Sequence, residues 1–166
     1  MEMDTLLELY VDELKDLWSA ERQILKALPK MAKAASSRAL KQGFRTHERQ
    51  TRQHVKRLER ILKSLDASSR GKKCVGMEGL IKEGSELIKE KPEADVLDAG
   101  LISAAQHVEH YEMAGYGTVR TWARILGHPD HARILQQTLN EEGDTDKALT
   151  KLAEKINVAA DDGDDD

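Results

Sequence analysis

The sequence predicts an all-α protein built as a bundle of long helices, and three observations carry that prediction. Residues with high helix propensity, namely Ala, Leu, Glu, Lys, Arg and Gln, dominate the chain, whereas strand-forming residues are scarce. Aromatic residues make up only 4% of the chain, and three residues are proline. Four long segments repeat apolar residues with the period of an α-helix. This combination argues against a β-sandwich or a β-barrel.

The first two long segments cover residues 5–35 and 37–65. The first begins at a capping box formed by Thr5 and Glu8, whose side chains satisfy free amides at a helix start. Pro29 lies late in this segment and is expected to bend or end the helix. The apolar faces comprise Leu6, Tyr10, Leu14, Leu17, Ile24 and Leu28 in the first segment, and Leu40, Phe44, Leu58, Ile61, Leu62 and Leu65 in the second.

A shorter helix is predicted over residues 75–89, where three glycines weaken the helix and make tertiary support necessary. The third long segment, residues 94–126, ends before Gly127, a residue that commonly terminates helices. Pro129 suits the first turn of the fourth segment, which covers residues 130–158. The inward residues of these two long helices are Leu97, Leu101, Ala105, Val108, Val119 and Trp122, then Ile134, Leu149, Leu152 and Ile156.

The connection between the second and third long helices is long enough to let them run parallel. This is the topology of a ferritin-like four-helix bundle with a short extra helix in the crossover between helices 2 and 3. A length of 166 residues corresponds to one domain. We therefore expect a single bundle over residues 1–158, followed by a disordered acidic tail at 159–166 that ends in DDGDDD.

Composition excludes several classes of protein. The single cysteine, Cys74, rules out a disulfide scaffold, a CxxC redox motif and a Cys-rich zinc site. No apolar run approaches the ~18 residues of a membrane span, so we expect no membrane partner. The first ten residues lack the pattern of a secretory signal, and a cytoplasmic location is the expectation. A net charge of −4 disfavours a broad nucleic-acid surface.

Each of the four long helices carries acidic or histidine residues within its apolar stripe. On the first helix, Glu21 lies roughly 15° from the mean direction of its apolar neighbours at 100° per residue. On the second helix, two histidines seven residues apart share the stripe. The third helix contributes two glutamates and the fourth contributes one. The six inward residues are Glu21, His47, His54, Glu109, Glu112 and Glu142.

Buried carboxylates need compensation, either from cationic side chains or from a metal ion. No Lys or Arg lies near the centre of these apolar stripes. Glutamate and histidine ligands suit iron, manganese or zinc, and di-iron carboxylate bundles collect their ligands from all four helices. The pattern therefore predicts two divalent metal ions, with iron foremost and manganese or zinc as alternatives.

Taken singly, each of these residues has an ordinary explanation. Glu21 could be a boundary residue or an ion-pair partner, and the two histidines could be satisfied core residues. The glutamates of the third helix could form a charged face beside His110, and Glu142 could belong to a solvated charge run with Glu141. Inward acids that coincide on four helices favour the metal site over these separate explanations.

Several stretches of the chain are distinctive as sequence motifs. They are SAERQ at 19–23, ALPKM at 27–31, CVGMEGLI at 74–81, AAQHVEHYE at 104–112, YGT at 116–118, TLNEE at 138–142 and TD at 145–146. In this order they resemble the YciE/YciF family, a ferritin-like group of bacterial stress-associated proteins. The resemblance covers residues 4–153, and the motifs together are much more specific than any one of them.

The resemblance implies a ferritin-like four-helix bundle, a homodimer and a rubrerythrin-like dimetal site. On the matching positions, Glu21 would be the ligand from the first helix. Glu109 and Glu112 would form the ExxE pair of the third helix, and Glu142 would be the acid of the fourth. The family's association with stress implies a role in the stress response. If two irons bind, dioxygen or peroxide is the expected small-molecule oxidant.

Two positions depart from the expected ligand pattern. Gln50 stands where the family often carries a glutamate, and Thr145 stands where a rubrerythrin-like site would have histidine. Two hypotheses therefore remain open. In the first, the protein binds two metals, reacts with dioxygen or peroxide, and uses Tyr111 or Tyr116 to tune the ligands by hydrogen bonds. In the second, it is a non-catalytic homodimeric structural or interaction protein with a degenerate metal site. The sequence does not decide whether the protein is an enzyme.

Overall fold

The computed structural model describes residues 3–162, which form five α-helices and no strand. The helices are α1 (Leu6–Ala34), α2 (Arg38–Ser64), α3 (Val75–Glu90), α4 (Ala94–Ile125) and α5 (Pro129–Asp161). Their bounds agree with the predicted segments to within a few residues. None of the helices in this part of the chain is long and apolar enough to cross a membrane.

The helix ends confirm one local prediction and correct two others. Thr5 and Glu8 form the predicted capping box of α1. Of the two outcomes expected at Pro29, an end of the helix is wrong: α1 continues to Ala34, because buried residues on both sides of this exposed proline hold the helix in the bundle. The helix α5 runs on to Asp161, beyond the predicted end of the bundle at residue 158. The rest of the predicted disordered tail, residues 163–166, lies outside the described residues.

The helices pack as two hairpins joined by a crossover. A short connection makes α1 and α2 one pair, and another makes α4 and α5 the second pair. The extra helix α3 lies in the connection from α2 to α4, where it packs against both α1 and α4. This is the predicted ferritin-like four-helix bundle, and α3 obtains the tertiary support that its glycines require.

The core consists of two apolar clusters separated by a polar layer. One cluster includes Ile24, Leu28, Phe44, Leu101 and Leu149, and the other includes Tyr10, Leu14, Leu58, Val119 and Leu135. Each long helix passes from one cluster to the other. The six inward acidic and histidine residues lie near the middle of the long helices, where the two clusters meet. The fold therefore encloses the polar layer from both ends of the bundle.

Outside this layer, the buried carboxylate of Asp98 on α4 caps the start of α2. It accepts hydrogen bonds from the backbone N–H of Ser36 at 2.7 Å and of Ser37 at 2.6 Å, and its side chain is only 1% exposed. Hydrogen bonds to a buried charged group contribute more than neutral ones. This contact joins α4 to the α1–α2 connection.

We expect Asp98→Asn to destabilise the protein by about 1.5–3 kcal/mol, because the amide keeps only one of the two acceptor oxygens and loses the charge. Urea denaturation should show a lower midpoint with an unchanged slope. Asp144→Asn, an exposed position on α5, is the control and should shift the free energy of unfolding by less than about 0.5 kcal/mol. Equal effects of the two substitutions would contradict the capping role of Asp98.

Candidate metal centre

All six residues singled out in the sequence lie in the polar layer between the apolar clusters. Their side chains are buried, with His47 the most exposed at 4%. In α2 the two histidines are two helical turns apart and therefore face the same side. In α4 the spacing of three residues places two glutamates on neighbouring positions of one face. Helix periodicity thus directs all six side chains toward the axis of the bundle.

The six residues form two groups of close ligand atoms that share one member. The first, the His47 group, comprises His47, Glu109, Glu112 and Glu142. The second, the His54 group, comprises Glu21, His54 and Glu142. Within each group the ligand atoms lie within 4.8 Å of one another, so each group could hold a metal ion. The shared member, Glu142, turns a different oxygen toward each histidine. Its Oε2 lies 4.0 Å from His47 Nε2, and its Oε1 lies 2.8 Å from His54 Nδ1.

The geometry of these close contacts fits a metal ion better than a hydrogen-bond network. His47 Nε2 lies 3.0 Å from Glu109 Oε1, yet this nitrogen has no hydrogen-bond partner within residues 3–162. Among the described residues, the same is true of His54 Nδ1 and of both carboxylate oxygens of Glu112 and Glu142. Buried polar atoms without partners are costly and rare. Ligand atoms within 4.8 Å of one another, several of them without a hydrogen-bond partner among the described residues, suit the coordination of a cation.

Without a metal ion, protons balance the charges of the layer. Burial disfavours the charged form of His54, but attraction by Glu21 and Glu142 outweighs it and raises the pKa to about 11. Burial and the charges of neighbouring carboxylates raise the pKa of Glu109 and Glu112 well above the usual range. For Glu142, burial raises the pKa, but the close approach of the Glu109 carboxyl and the positive charges of the His54 and His47 rings outweigh it and lower the value to about 2. A metal ion would replace these protons as the source of positive charge.

The ring of His54 is held by a pair of residues outside the two groups. Its Nε2 donates to Glu141 Oε2 at 2.8 Å, while its Nδ1 faces the carboxylate of Glu142. Arg57 on α2 binds both oxygens of Glu141, through Nη1 at 2.7 Å and Nη2 at 2.9 Å. A carboxylate on the far nitrogen of a ligating histidine fixes the tautomer and the orientation of the ring. Glu141, considered above as part of a solvated charge run, is instead half-buried and paired with α2.

The two tyrosines considered as tuning residues have different surroundings. The hydroxyl of Tyr116 is fully buried and donates to Glu21 Oε1 at 2.5 Å, so this tyrosine contacts the centre directly. Tyr111 instead pairs with Cys74 Sγ at 3.1 Å and donates to Asp16 Oδ2 at 3.2 Å. Of the two candidates, only Tyr116 is placed to orient a carboxylate of the layer.

The two departures from the expected ligand pattern lie beside the groups rather than inside them. Thr145 Oγ1 lies 3.4 Å from Gln50 Oε1, so the two side chains meet across α2 and α5. Thr145 also donates to the backbone oxygen of Glu141 at 3.0 Å. Among the described residues, neither Gln50 nor Thr145 belongs to either group of ligand atoms. The two departures therefore do not reduce either group. The His47 group keeps four candidate ligands and the His54 group keeps three, with Glu142 counted in both.

The chain is similar to known proteins over nearly its whole length. The family described as "Domain of unknown function (DUF892)" matches residues 5–160. The protein YciF of Escherichia coli K12 is 43% identical over 154 residues, which cover 92% of this chain and 93% of that protein.

Solved structures support the same relationship. The crystal structure of the E. coli stress protein YciF superposes with a TM-score of 0.90 at 42% identity, covering 93% of this chain and 98% of that one. The structure of YcfI from Rhodopseudomonas palustris gives a TM-score of 0.86 at 41% identity, covering 90% of this chain and 97% of that one. The resemblance seen in the sequence motifs is confirmed by these matches.

Proposed function

Since the chain belongs to the family described as Domain of unknown function (DUF892), and that description assigns no activity, we propose a function from the site itself. The protein is a dimetal carboxylate protein of the ferritin-like class, in which the His47 group and the His54 group each hold one divalent ion. The E. coli relative is called a stress protein, and this supports a role of the centre in the response to stress.

The observation that carries the proposal is the position of Glu142 between the two groups. One carboxylate oxygen faces each histidine, at 4.0 Å and 2.8 Å, and among residues 3–162 neither oxygen has a hydrogen-bond partner. A carboxylate in this position would contribute one oxygen to each group, and bound cations would compensate its burial. In the metal-free protein the protonated ring of His54 lies 2.8 Å from one of these oxygens, and a metal ion in each group would replace that proton as the source of positive charge.

The donor set of carboxylates and imidazoles suits iron, manganese or zinc, and we propose iron. When iron is bound, it would supply oxidation by dioxygen or peroxide. The protein's residues would keep the centre in a water-poor layer and hold the ligands in place. Tyr116 would orient Glu21, while Glu141 and Arg57 would orient His54. A homodimer, implied by the family resemblance, belongs to the same proposal.

Metal content per chain tests the proposal directly. We expect elemental mass spectrometry of untagged protein from iron-supplemented cells to give two equivalents, and anaerobic addition of ferrous ion to fill metal-free protein to the same level. Metal binding should also stabilise the fold, by about 2.7 kcal/mol at a free metal concentration of 100 times Kd. Light scattering on the same samples tests the homodimer.

The opposite result is equally informative. A protein that takes up no metal and keeps an unchanged melting temperature would refute the metal centre. It would favour a structural or interaction role with a degenerate site. One equivalent at saturation would contradict the shared-carboxylate arrangement. Two equivalents of manganese or zinc, with iron excluded in competition, would retain the dimetal centre and overturn only the choice of metal.

A further inference from the structure

The positive charges of the chain are concentrated in one stretch, residues 22–63. This stretch contains 13 of the 26 lysines and arginines but only two of the 30 acidic residues, Glu48 and Glu59, so its formal charge is +11. The remaining 13 basic and 28 acidic residues leave −15 elsewhere. The net charge of −4, which disfavours a broad nucleic-acid surface, is thus an average over two unlike parts of the chain. A surface formed by residues 22–63 alone is strongly cationic.

The structure places these charges on the outer side of the hairpin formed by α1 and α2. In α2, seven exposed arginines and lysines recur at intervals of three, four or seven residues. At 100° per residue they fall within an arc of about 80°, and they extend over about 38 Å of helix. The adjacent half of α1, which packs along α2, carries four more exposed basic residues. This basic face comprises Arg22, Lys26, Lys30 and Lys33 on α1, and Arg38, Arg45, Arg49, Arg52, Lys56, Arg60 and Lys63 on α2.

Almost all charges of the basic face have no ion-pair partner in the described part of the chain. Exposed helices usually offset such charges with acids three or four residues away. Among residues 3–162, the one ion pair of the basic face joins Arg52 to Glu48 at 2.6 Å. Glu59 instead accepts a hydrogen bond from Trp18 Nε1 at 3.0 Å. The face therefore presents a strong positive potential to the solvent and to an anionic partner.

The chemistry of the basic face selects one kind of partner. A helix that lies on a membrane needs an apolar face, and the core of a protein interface needs apolar or aromatic anchors. The large apolar side chains that are exposed within residues 3–162, such as Val75 and Ile125, all lie outside residues 22–63. Single-stranded nucleic acid stacks on aromatic rings, but Phe44, the only Phe, Tyr or Trp in this stretch, is buried. The remaining partner is a rigid polyanion that is bound by charge alone, as a nucleic-acid duplex is.

We propose that the basic face binds the phosphate backbone of double-stranded DNA without reading its sequence. The row of charges on α2 extends over about 38 Å, which corresponds to about one helical turn of the duplex. The major groove of B-form DNA is about 12 Å wide and open to long side chains, whereas that of duplex RNA is deep and narrow. Glu21, His47 and His54 are buried on the inner side of the same two helices. DNA binding is therefore a second function, independent of the metal centre.

Fluorescence anisotropy of a labelled DNA duplex, titrated with the full chain, tests the proposal. For about six phosphate contacts, we expect a Kd of about 1 μM at about 50 mM salt and a loss of affinity of about 40-fold when the salt concentration is doubled. A second duplex of unrelated sequence should bind within about twofold of the first, since phosphate contacts carry no sequence information. No binding at the lower salt concentration, or an affinity that does not change with salt, would overturn the proposal.

Two matched triple variants test where the DNA binds. Both remove three positive charges from exposed positions, so they change the net charge of the protein equally. The first carries Arg45→Gln, Arg49→Gln and Lys56→Gln on the basic face. The control carries Lys89→Gln, Lys147→Gln and Lys151→Gln on α3 and α5.

We expect the first variant to bind DNA at least about tenfold more weakly, and its slope of log K against log salt to be smaller by about 2.7, or about 0.9 per lost phosphate contact. The control should keep the wild-type slope. Equal losses in both variants would mean that only the net charge matters, and would overturn the assignment to this face. Circular dichroism of both variants checks that the helices remain.

Competition distinguishes DNA from other anionic partners. We expect unlabelled duplex DNA to displace the labelled duplex at a charge concentration about tenfold lower than single-stranded DNA, duplex RNA, phosphatidylserine vesicles or polyglutamate. Equal displacement by any of these would overturn the choice of duplex DNA. Light scattering in the same buffers tests a second copy of the chain as the partner. Self-association that the first triple variant abolishes would place that copy on the basic face and overturn the proposal.

Metal content measured on the same samples separates this inference from the proposed function. Two equivalents of metal without DNA binding would refute the inference and leave the metal centre intact. DNA binding by a protein that takes up no metal would refute the metal centre and leave the inference intact.

Discussion

Replacing Glu142 by glutamine should abolish metal binding in both groups, lowering the affinity of the protein for metal by more than about 100-fold. The wild-type carboxylate turns one oxygen toward His47 at 4.0 Å and the other toward His54 at 2.8 Å. Glutamine keeps the shape of the side chain but offers one oxygen and one N–H₂ donor, so it cannot bind cations with both ends. Metal content by mass spectrometry and competition with a chelator measure the loss.

Glu141→Gln is the matched control, since it makes the same chemical change one residue away on α5. Glu141 lies outside both groups and contacts the centre only through His54 Nε2, at 2.8 Å. We expect its replacement to lower affinity by about 10–100-fold while two equivalents still bind at saturation. Equal losses of stoichiometry in the two variants would mean that the bundle is disturbed as a whole. Circular dichroism of both variants checks that the helices remain.

Replacing Glu112 by glutamine should stabilise the metal-free protein at pH 7 while it reduces the stabilisation by metal, because Glu112 belongs to the His47 group alone. Glu112 is fully buried, and neither carboxylate oxygen has a hydrogen-bond partner within the described residues. Burial and the charges of Glu142, Glu21 and Glu109 raise the pKa of Glu112 well above the usual range. At neutral pH the unfolded chain ionises this carboxyl freely, whereas the folded chain does so only at a cost. Glutamine does not ionise and removes that penalty.

The sign of the pH dependence follows from the raised pKa. Between the ordinary and the raised pKa, the folded state of the wild-type protein binds more protons than the unfolded state, so stability falls as pH rises. The gain from Glu112→Gln should be about 1–3 kcal/mol at pH 7, or several degrees in Tm, and should shrink as the pH is lowered toward 4. Thermal unfolding of metal-free protein across this pH range measures it.

Glu154→Gln on the exposed face of α5 is the control, with an expected change below about 0.5 kcal/mol at every pH. With ferrous or manganous ion present, the wild-type protein and the Glu154 variant should gain more stability than the Glu112 variant, which keeps only the His54 group intact. A metal-free Glu112 variant that is less stable than wild type at pH 7 would show that the carboxyl group supports the fold. In that case the interpretation of Glu112 as a metal ligand that destabilises the empty bundle would be wrong.

The residues that would bind metal are expected to lower the stability of the metal-free protein, and this has a physical basis. Four buried carboxylates and two histidines destabilise a bundle that must balance their charges with protons alone. Sites that bind ligands commonly carry such a cost in stability. The two apolar clusters on either side of the layer supply the packing that tolerates it.

Sequence patterns predicted the position of each candidate ligand but not of the residues that orient it. Glu21 and Glu112 were found because apolar neighbours within one turn define the inward face of a helix, and that relation is local. Arg57 and Glu141 lie at the edges of such faces and looked like ordinary charged residues. Their contact joins α2 to α5 at 2.7 Å and 2.9 Å, and no pattern along either helix reports it. The same holds for Asp98, whose two acceptors serve amides on another segment.

The sequence by itself determined the helices, the capping box of α1 and the inward direction of six polar side chains, because these relate residues a few positions apart. Only the tertiary structure decided that these residues form two groups around Glu142, and that Gln50 and Thr145 lie beside them. Only the tertiary structure decided that α1 and α2 place their exposed cations side by side. The reason is that distances between atoms on different helices depend on the rotation, shift and crossing of those helices. These are set by the packing of the whole bundle rather than by any one segment.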